Sequence, residues 1–335
     1  MRPDKIAIIG AGSWGTALAH LLGSKGLPVT LLAWDEPAAE YIRARRRNPQ
    51  YLQEVQLPDC VGATADLAEA LADAPICIIA LPCAVVAEVM SKAAEYVSPD
   101  AIILSASKGL DPQTGSVMSE VVARSVPQVG AERLVVLSGP NLALEMVRQV
   151  PTATVVASAS PEAVKEIQQT LGHPCFRVYG SADVVGVQLG GALKNVYAIG
   201  AGVGDGLGFG QNTKASLVTR GLAEMIRIGT SAGADARTFS GLSGIGDLVA
   251  TCASSQSRNW TVGYRLARGE PLPHILATVG MVAEGVPTAP VALALAQRLG
   301  VEAPIIREVH QVLYERKDPA RAVADLMTRE LGPEY

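Results

Sequence analysis

One lysine stands in a long stretch of the chain that carries no other charged side chain. Lys194 lies in the segment 184–203, VVGVQLGGALKNVYAIGAGV, whose other polar side chains are Gln188, Asn195 and Tyr197. A lysine in such surroundings must extend its amine to water, pair with an anion, or lose its proton more readily than a solvated lysine. The last two states suit acid–base chemistry, so Lys194 is a candidate catalytic residue.

A glycine motif near the start of the chain has the spacing of a dinucleotide-binding loop. Gly10, Gly12 and Gly15 form G-x-G-x-x-G between an apolar strand-like run and a helical pattern. In such a loop the first glycine makes a tight turn, the second admits the pyrophosphate, and the third lets helix and strand pack closely. The N–H groups of Ser13 and Trp14 at the start of the predicted helix would bind the anion.

The residues expected near the adenosine ribose leave the choice between NAD and NADP open. Asp35 follows Gly15 by about 20 residues, the position of the acidic side chain that accepts a hydrogen bond from the ribose of NAD. Arginines at 43, 45, 46 and 47 crowd the next helix. A solvated helix face is the more common explanation for such a run, but one of these arginines could reach a 2′-phosphate.

Further polar residues follow predicted strands in the first half of the chain. Lys108 comes just after the strand that ends near Ser105, and Gly139 and Asn141 follow the next strand, before a predicted helix 141–150. Residues beyond the carboxyl ends of parallel strands line the ligand crevice. Lys108 is thus placed to meet an anionic substrate or the nicotinamide end of a cofactor, although an ordinary surface lysine would fit the sequence equally well.

The second half of the chain carries its own polar groups. Asp247 is an isolated acid between Gly246 and Leu248, and Glu284 stands in a turn-like segment. Ser257-Arg258-Asn259 offers one bidentate guanidinium and two neutral hydrogen-bonding groups, which suits a phosphate. Taken alone, an ordinary surface loop is the favoured explanation of this cluster.

The elements that must position these residues divide the chain in two. Short apolar strands alternate with helices up to about residue 180, and long helical patterns without a strand follow. The sequence predicts strands at 6–9, 29–33, 76–81, 101–105, 134–137, 153–157 and 176–179, and helices at 15–25, 36–47, 85–96, 115–125, 161–171, 183–201, 214–232, 260–268, 289–299 and 304–314. We expect an α/β Rossmann-type dinucleotide-binding domain, residues 1–182, followed by an all-α substrate domain, residues 183–335. Glycines at every second position from 200 to 210 predict either a flexible or tightly turning loop at the helix end, or a backbone that comes close to another helix or to a ligand.

Composition narrows the function classes. The chain has 335 residues and a net charge of −4, which argues against nucleic-acid or membrane partners recruited by charge. Five cysteines without C-x-x-C spacing fit a reducing cytoplasm rather than a disulfide framework. The four histidines show no metal-ligand spacing, so we expect no metal. The segment 184–203 has the length of a membrane span, but its glycines and polar side chains favour a helix in a protein core.

Together these segments resemble the bacterial-type NAD(P)-dependent glycerol-3-phosphate dehydrogenases, nearly from end to end. The similar segments are GAGSWGTALA (10–19), Asn48-Pro49 followed by Tyr51-Leu52, SKGL (107–110), SGPNLALE (138–145), GVQLGGALKNVYAIGAG (186–202), TRGLAEM (219–225), GLSGIGDLVATC (241–252), SQSRN (255–259) and VAEG (282–285). The later segments are far more specific than the glycine motif.

The resemblance implies roles for individual residues. It implies a catalytic set in which Lys194 is the proton donor or acceptor: Lys194, Asp247, Lys108, Asn195 and Thr251. It implies a substrate set that holds glycerol 3-phosphate: Lys108, Gly139, Asn141, Lys194, Asp247, Ser257, Arg258 and Asn259. It implies a cofactor set: Gly10, Gly12, Ser13, Trp14, Gly15, Trp34, Asp35, Tyr51, Lys108, Ala143, Arg258, Val282 and Glu284.

Two positions depart from the family pattern. Asn141 stands where members more often carry a hydroxyl residue. Trp34 stands where members often carry Arg or His; it can stack on adenine but cannot pair with a phosphate, which mildly favours NAD(H) or dual use over NADP(H).

The resemblance implies reversible hydride transfer that reduces dihydroxyacetone phosphate to sn-glycerol 3-phosphate for glycerophospholipid synthesis. It also implies a cytoplasmic homodimer that acts on a small molecule. Two other classes remain open: a dehydrogenase of the β-hydroxyacid group, which acts on carboxylates, and a redox-sensing module that holds NAD(H) without turnover.

Overall fold

The structure, a computed structural model, describes residues 3–330 and residue 334. The chain forms two compact units. The first comprises the chain up to Lys108 together with Ser116–Gln188, and the second comprises Gly109–Gly115 together with the chain from Leu189. The chain thus passes from one unit to the other inside a helix, and a domain boundary after residue 182 remains a prediction.

The first unit is built on one sheet of eight strands. The strands are β1 (Ile6–Ile9), β2 (Val29–Leu32), β3 (Val61–Thr64), β4 (Ile76–Ile79), β5 (Ile102–Ser105), β6 (Leu134–Ser138), β7 (Thr152–Ala157) and β8 (Phe176–Ser181). Their order in the sheet is β3-β2-β1-β4-β5-β6-β7-β8, and all neighbours are parallel except the antiparallel pair β6–β7. The first six strands thus have the 3-2-1-4-5-6 order of a dinucleotide-binding fold, which confirms the predicted α/β class.

Helices cover both faces of this sheet. They are α1 (Ser13–Ser24), α2 (Glu36–Arg45), α3 (Leu67–Leu71), α4 (Cys83–Ala93), α5 (Met118–Ser125), α6 (Ala143–Val147) and α7 (Pro161–Leu171). Side chains of β1 alternate between two cores: Ile6 and Ile8 pack with α1, α2 and α7, and Ala7 and Ile9 pack with α4 and α5. Such central strands are apolar throughout because both faces are buried.

Sequence patterns missed one strand of this sheet. β3 is four residues long and contains Gly62, so its pattern is too short and too weakly apolar to identify a strand. It lies at an edge of the sheet, where Arg43 of α2 and Arg46, the residue that caps α2, bind its carbonyls: Arg46 donates to Val61 O at 2.9 Å and Arg43 donates to Ala63 O at 2.9 Å. These bonds satisfy backbone carbonyls of an edge strand that could otherwise pair with another strand.

The second unit is helical, and no strand occurs after Ser181 in the described part of the chain. Its helices are α8 (Val184–Gly206), α9 (Gln211–Ser231), α10 (Ala236–Phe239), α11 (Asp247–Ala253), α12 (Arg258–Ala267), α13 (Leu272–Thr278), α14 (Gly285–Arg298), α15 (Pro304–Tyr314) and α16 (Pro319–Met327). The all-α prediction is confirmed. The sequence did not predict α10, α11, α13 and α16, which are short or weakly patterned.

The alternating glycines serve both predicted purposes. α8 continues to Gly206, five residues beyond its predicted end, and a Cβ at Gly202 would lie 2.0 Å from Trp260 O of α12. Conversely, a Cβ at Gly263 of α12 would lie 1.9 Å from Ile199 O of α8. The two helices therefore meet backbone to backbone, while Gly208, with φ +83°, makes the turn after α8.

Candidate functional site

The candidate residues of the first unit gather at one edge of the sheet. β1, β2, β4, β5 and β6 run parallel, so their carboxyl ends lie on the same side. The glycine motif follows β1, Trp34 and Asp35 follow β2, Lys108 follows β5 and Gly139 follows β6. In open parallel sheets this edge is where nucleotides bind, beside the strand at which the order reverses.

The glycine loop has the geometry that its spacing predicts. Gly10 has φ +113°, and a Cβ there would lie 2.7 Å from Ala80 O, so this turn requires glycine. A Cβ at Gly15 would lie 1.9 Å from Gly10 O, which shows how closely α1 approaches the strand. A Cβ at Gly12 would meet nothing within 4 Å, so the loop backbone is open to a ligand there. With Ser13 and Trp14 opening α1, the loop fits a dinucleotide pyrophosphate.

A buried asparagine, to which the sequence assigned no role, holds this loop in place. Asn48 Nδ2 donates to Ala11 O at 2.8 Å and to Thr16 Oγ1 at 2.9 Å, while its Oδ1 accepts the N–H groups of Gln50 and Tyr51. All the bonding capacity of one amide is thus used to join the glycine loop to the turn that carries Tyr51. The sequence drew attention to the Asn48-Pro49 pair, but it could not identify the groups to which Asn48 hydrogen-bonds.

Trp34 and Tyr51 form an aromatic pair beyond the end of β2. Their ring centroids are 5.9 Å apart at an interplanar angle of 86°, and about half of Trp34 is exposed. Asp35 is the N-cap of α2, with its Oδ1 accepting the N–H of Ala38 at 2.9 Å. The structure thus brings together three residues of the predicted cofactor set.

Lys108 and the loop after β6 form a second polar group at the same edge. Lys108 Nζ donates to Gly139 O at 2.7 Å, and Gly139 has φ +146°. Asn141 Nδ2 donates to Ala153 O at 3.1 Å, and its Oδ1 accepts from Thr154 Oγ1 at 3.0 Å. The amide at position 141 is therefore oriented by β7.

The predicted helix 141–150 is wrong in its bounds. The helix α6 spans only Ala143–Val147, because Leu142 is extended and Gln149 has φ +58°. Ala143 is consequently the first residue of this short helix.

In the second unit Lys194 is paired with a buried carboxylate. Its Nζ forms an ion pair with Asp247 Oδ1 and donates to Thr251 Oγ1 at 2.8 Å. The side chains of Lys194 and Asp247 are 9% and 2% exposed. Of the three states open to this lysine, pairing with an anion is the one that the structure shows. A buried pair of this kind holds the amine in one position.

Helix geometry explains why these three side chains meet. Asp247 begins α11 and Thr251 lies one turn later, so both project from the same face. The kinked turn Leu242–Gly246 before Asp247 packs on α8, where a Cβ at Gly190 would lie 2.3 Å from Ser243 O. Gly190 is one turn before Lys194, and this close backbone contact brings Asp247 within reach of the amine.

Asn195 belongs to a chain of buried amides. Asn259 Nδ2 donates to Asn195 Oδ1 at 2.8 Å, and Asn259 Oδ1 accepts the N–H of Gly285 at 2.8 Å. Asn195 and Asn259 are 5% and 8% exposed. The chain of bonds links α8, α12 and the start of α14, so it fixes the position of Lys194 relative to the segment 282–285.

The start of α12 carries the Ser-Arg-Asn cluster. Ser257 is its N-cap, with Oγ accepting the N–H of Trp260 at 3.2 Å, and Arg258 Nη1 donates to Val282 O at 2.7 Å. Val282 is exposed, while Glu284 is half-buried at the start of α14 and is not the surface residue that its turn-like sequence allows. A helix N-terminus with an adjacent guanidinium attracts anions.

Burial changes the proton affinity of groups around α8. Burial raises the pKa of Glu224, on α9, to about 7, although bonds from Ile305 N and Ile306 N act in the opposite direction. Burial also raises the pKa of Cys252, next to Thr251, to about 12, so this thiol is a core residue rather than a nucleophile.

Two classes of feature are missing from the described residues. Residues 3–330 and 334 contain no group of three or more His, Cys, Asp or Glu side chains placed to hold a metal ion. No helix within the same part of the chain combines the length and the apolar character needed to cross a membrane.

Comparison with known proteins matches the whole chain. The family model for the NAD-dependent glycerol-3-phosphate dehydrogenase N-terminus matches residues 5–164, and the model for the C-terminus matches residues 183–324. The chain is 49% identical to a glycerol-3-phosphate dehydrogenase [NAD(P)+] of Parafrankia sp. (strain EAN1pec), over 99% of both chains, and 47% identical to that of Geobacter metallireducens, over 98% of both. The crystal structure of the Coxiella burnetii glycerol-3-phosphate dehydrogenase superimposes with a TM-score of 0.93 at 37% identity, covering 97% of this chain and 99% of that one. With both of its parts matched in order, this chain belongs to the NAD-dependent glycerol-3-phosphate dehydrogenase family.

Proposed function

We propose that the chain catalyses the reversible NAD(P)-linked reduction of dihydroxyacetone phosphate to sn-glycerol 3-phosphate. The observation that carries this proposal is the buried trio Lys194, Asp247 and Thr251, in a chain of this family whose first unit carries a dinucleotide-binding loop. Carbonyl reduction requires a proton donor and a hydride source; the second unit carries the candidate donor, and the first unit carries the loop for the nucleotide that supplies the hydride. The product would supply glycerophospholipid synthesis.

The coenzyme is held by residues of the glycine loop and by those beyond β2. Gly12, Ser13 and Trp14 would bind its pyrophosphate through backbone N–H groups, and Asp35 would meet its ribose. When bound, the nicotinamide supplies or accepts a hydride at C4.

Lys194 acts as the general acid in the direction of reduction. Negative charge develops on the carbonyl oxygen as C2 is reduced, and a protonated amine within about 3 Å of that oxygen stabilises the charge and donates a proton. In the reverse direction the neutral amine accepts the proton from the C2 hydroxyl. The ion pair with Asp247 and the hydrogen bond to Thr251 hold the amine in one position.

The substrate phosphate binds at the start of α12. Arg258 offers a guanidinium, Ser257 retains its hydroxyl proton while its oxygen caps the helix, and the helix N-terminus adds its dipole. For Lys108 and Asn141 a role in substrate binding stays a prediction from the family resemblance. Binding the remote phosphate holds C2 in place and lowers the entropic part of the barrier.

A spectrophotometric assay tests the activity and separates it from its alternatives. Dihydroxyacetone phosphate added with NADH or NADPH should cause loss of the reduced nicotinamide absorbance near roughly 340 nm. Oxidation of β-hydroxycarboxylates instead would assign the chain to the other dehydrogenase class. Coenzyme binding without turnover of any substrate would make it a sensor, a class that the buried Lys194–Asp247 pair disfavours because a sensor needs no proton donor.

Two finer features belong to the same proposal. We place the enzyme in the cytoplasm, where its five free cysteines would stay reduced. We also propose a homodimer, and light scattering during size-exclusion chromatography would report twice the 34.8 kDa chain mass.

A further inference from the structure

We propose that this chain selects NADH over NADPH, and that Asp35 is the residue that discriminates. The two coenzymes differ by one phosphate on the 2′-oxygen of the adenosine ribose. The inference rests on the proposed function, because it names the preferred coenzyme of the same site. It depends only on residues of the first unit around the end of β2.

Asp35 places a fixed carboxylate where the ribose is expected. It follows β2 at the carboxyl edge of the sheet, and its Oδ1 is held by the N–H of Ala38 at 2.9 Å. A carboxylate accepts hydrogen bonds at both oxygens, so the cap leaves Oδ2 with capacity for a ribose hydroxyl. A 2′-hydroxyl would donate to Asp35, whereas a 2′-phosphate would be repelled by it.

Three of the four arginines that could neutralise a 2′-phosphate already bind other groups of the protein. Arg43 pairs with Glu36 and donates to Ala63 O at 2.9 Å. Arg46 donates to Val61 O and Pro58 O, both at 2.9 Å, and to Asp59 Oδ1 at 3.0 Å. Arg47 donates to Gln56 Oε1 at 3.1 Å. These contacts hold α2 against the edge of the sheet, so moving a guanidinium to a ligand would break bonds that support the fold.

The fourth arginine, Arg45, lies too far from Asp35 to bind a 2′-phosphate there. Arg45 is the last residue of α2, whereas Asp35 caps the first turn. At about 1.5 Å of rise per residue, Arg45 lies about 13 Å along the helix axis from Glu36, farther than its side chain can reach. The arginine run is therefore a structural feature of α2 and the β3 edge.

Trp34 contributes affinity that both coenzymes share. It is half exposed beside Asp35 and is supported edge to face by Tyr51. An exposed indole at this position offers a stacking surface for adenine, which NADH and NADPH have in common. Trp34 therefore tightens the binding of both, and the choice between them falls to the charge of Asp35.

Equilibrium binding tests the inference without any turnover. Titrations of the full-length wild-type protein with NADH and NADPH, followed by nicotinamide fluorescence, should show NADH binding tighter by roughly 10- to 100-fold. Calorimetric titrations with ADP-ribose and its 2′-phosphate, which lack nicotinamide, should show the same ratio. Equal affinities, or tighter binding of the phosphorylated ligands, would overturn the proposal.

Substitutions assign the discrimination to one side chain. Asp35→Asn keeps the helix cap, because asparagine caps as well as aspartate, and should reduce the NADH:NADPH affinity ratio about tenfold. Trp34→Ala should weaken both coenzymes alike and leave the ratio unchanged. Asp318→Asn is the matched control: Asp318 caps α16 through the same bond, to the N–H of Arg321, in the other unit.

The remaining outcomes are equally decisive. An unchanged ratio in Asp35→Asn, or an equal shift in Asp318→Asn, would refute the role of Asp35. Selective NADH binding by a protein that does not reduce dihydroxyacetone phosphate would overturn the proposed function and leave this inference standing. If both coenzymes bind with equal affinity and support equal turnover at matched low concentrations, this inference is overturned and the proposed function stands.

Discussion

Glu224 makes the stability of the second unit depend on pH in a direction that can be calculated. Its carboxylate is fully buried on α9, where it accepts the N–H of Ile305 and of Ile306, at 3.0 Å each, at the start of α15. The hydroxyl of Tyr197, one turn after Lys194 on α8, lies 3.5 Å from the same carboxylate. Burial nevertheless raises the pKa of Glu224 from 4.5 to about 7, with Arg227 acting in the opposite direction.

The sign follows from where the proton is bound. Between about pH 4.5 and 7 the folded chain holds a proton on Glu224 that the unfolded chain has released, so stability falls as pH rises. A shift of about 2.5 pKa units at 1.36 kcal/mol each amounts to about 3.4 kcal/mol, fully lost above pH 7. Between about pH 5.5 and pH 8 the expected loss from this one group is about 2 kcal/mol.

Glu224→Gln isolates this contribution. The amide cannot ionise, so the free energy of unfolding of the variant minus that of the wild type should increase by about 2 kcal/mol from pH 5.5 to pH 8. Any constant cost, such as one backbone N–H that loses its acceptor, cancels in this difference. Urea unfolding followed by far-UV circular dichroism measures both proteins, and hydrogen exchange of α15 amides localises the effect.

A control and a refuting result complete the test. Glu166→Gln removes an exposed carboxylate on α7 and should leave the pH dependence unchanged. A stability difference between Glu224→Gln and wild type that stays constant with pH would show that Glu224 titrates in the folded chain as it does when unfolded. The reasoning from its burial would then be wrong.

Three other substitutions test the site and the packing beneath it. Lys194→Ala should lower turnover by orders of magnitude while coenzyme still binds with near wild-type affinity; near wild-type turnover would remove its assigned role. Arg258→Lys should chiefly raise KM for the phosphorylated substrate, because the planar fork is lost, and an unchanged KM would exclude it from the phosphate site. Gly202→Ala should lower Tm, because its Cβ would lie 2.0 Å from Trp260 O. Gly204→Ala on the same helix, where a Cβ meets nothing within 4 Å, should instead raise stability by about 0.5–1 kcal/mol. Equal effects of the two substitutions would contradict the packing argument.

Local patterns predicted the fold class of the first unit and most of its strands. The alternation of apolar strands and helices predicts a parallel sheet because such strands are buried on both faces, and the G-x-G-x-x-G motif identifies its first turn. The edge strand β3 was not predicted, because its four residues around Gly62 form too weak an apolar pattern. Its place in the sheet depends on β2 and on the arginines of α2.

The sequence also singled out Lys194, because it is the only charged side chain in the apolar segment 184–203. Its partner could not be read from the chain, since Asp247 is more than fifty positions away. Only the packing of the 242–246 turn against Gly190 brings the two together.

For the other residues of the site, too, the sequence shows what a side chain can bond and the tertiary structure decides what it does bond. Residue type shows what Asn48, Asn259 and the arginines of α2 can bond, and their partners decide what they do. The amides of Asn48 and Asn259 are satisfied by loops and helices far along the chain, and Arg43 and Arg46 bind strand carbonyls. A one-dimensional pattern records periodicity and neighbours a few residues apart. Hydrogen-bond partners at long range exist only once the backbone has folded, and these partners are what make one asparagine or arginine structural and leave another for a ligand.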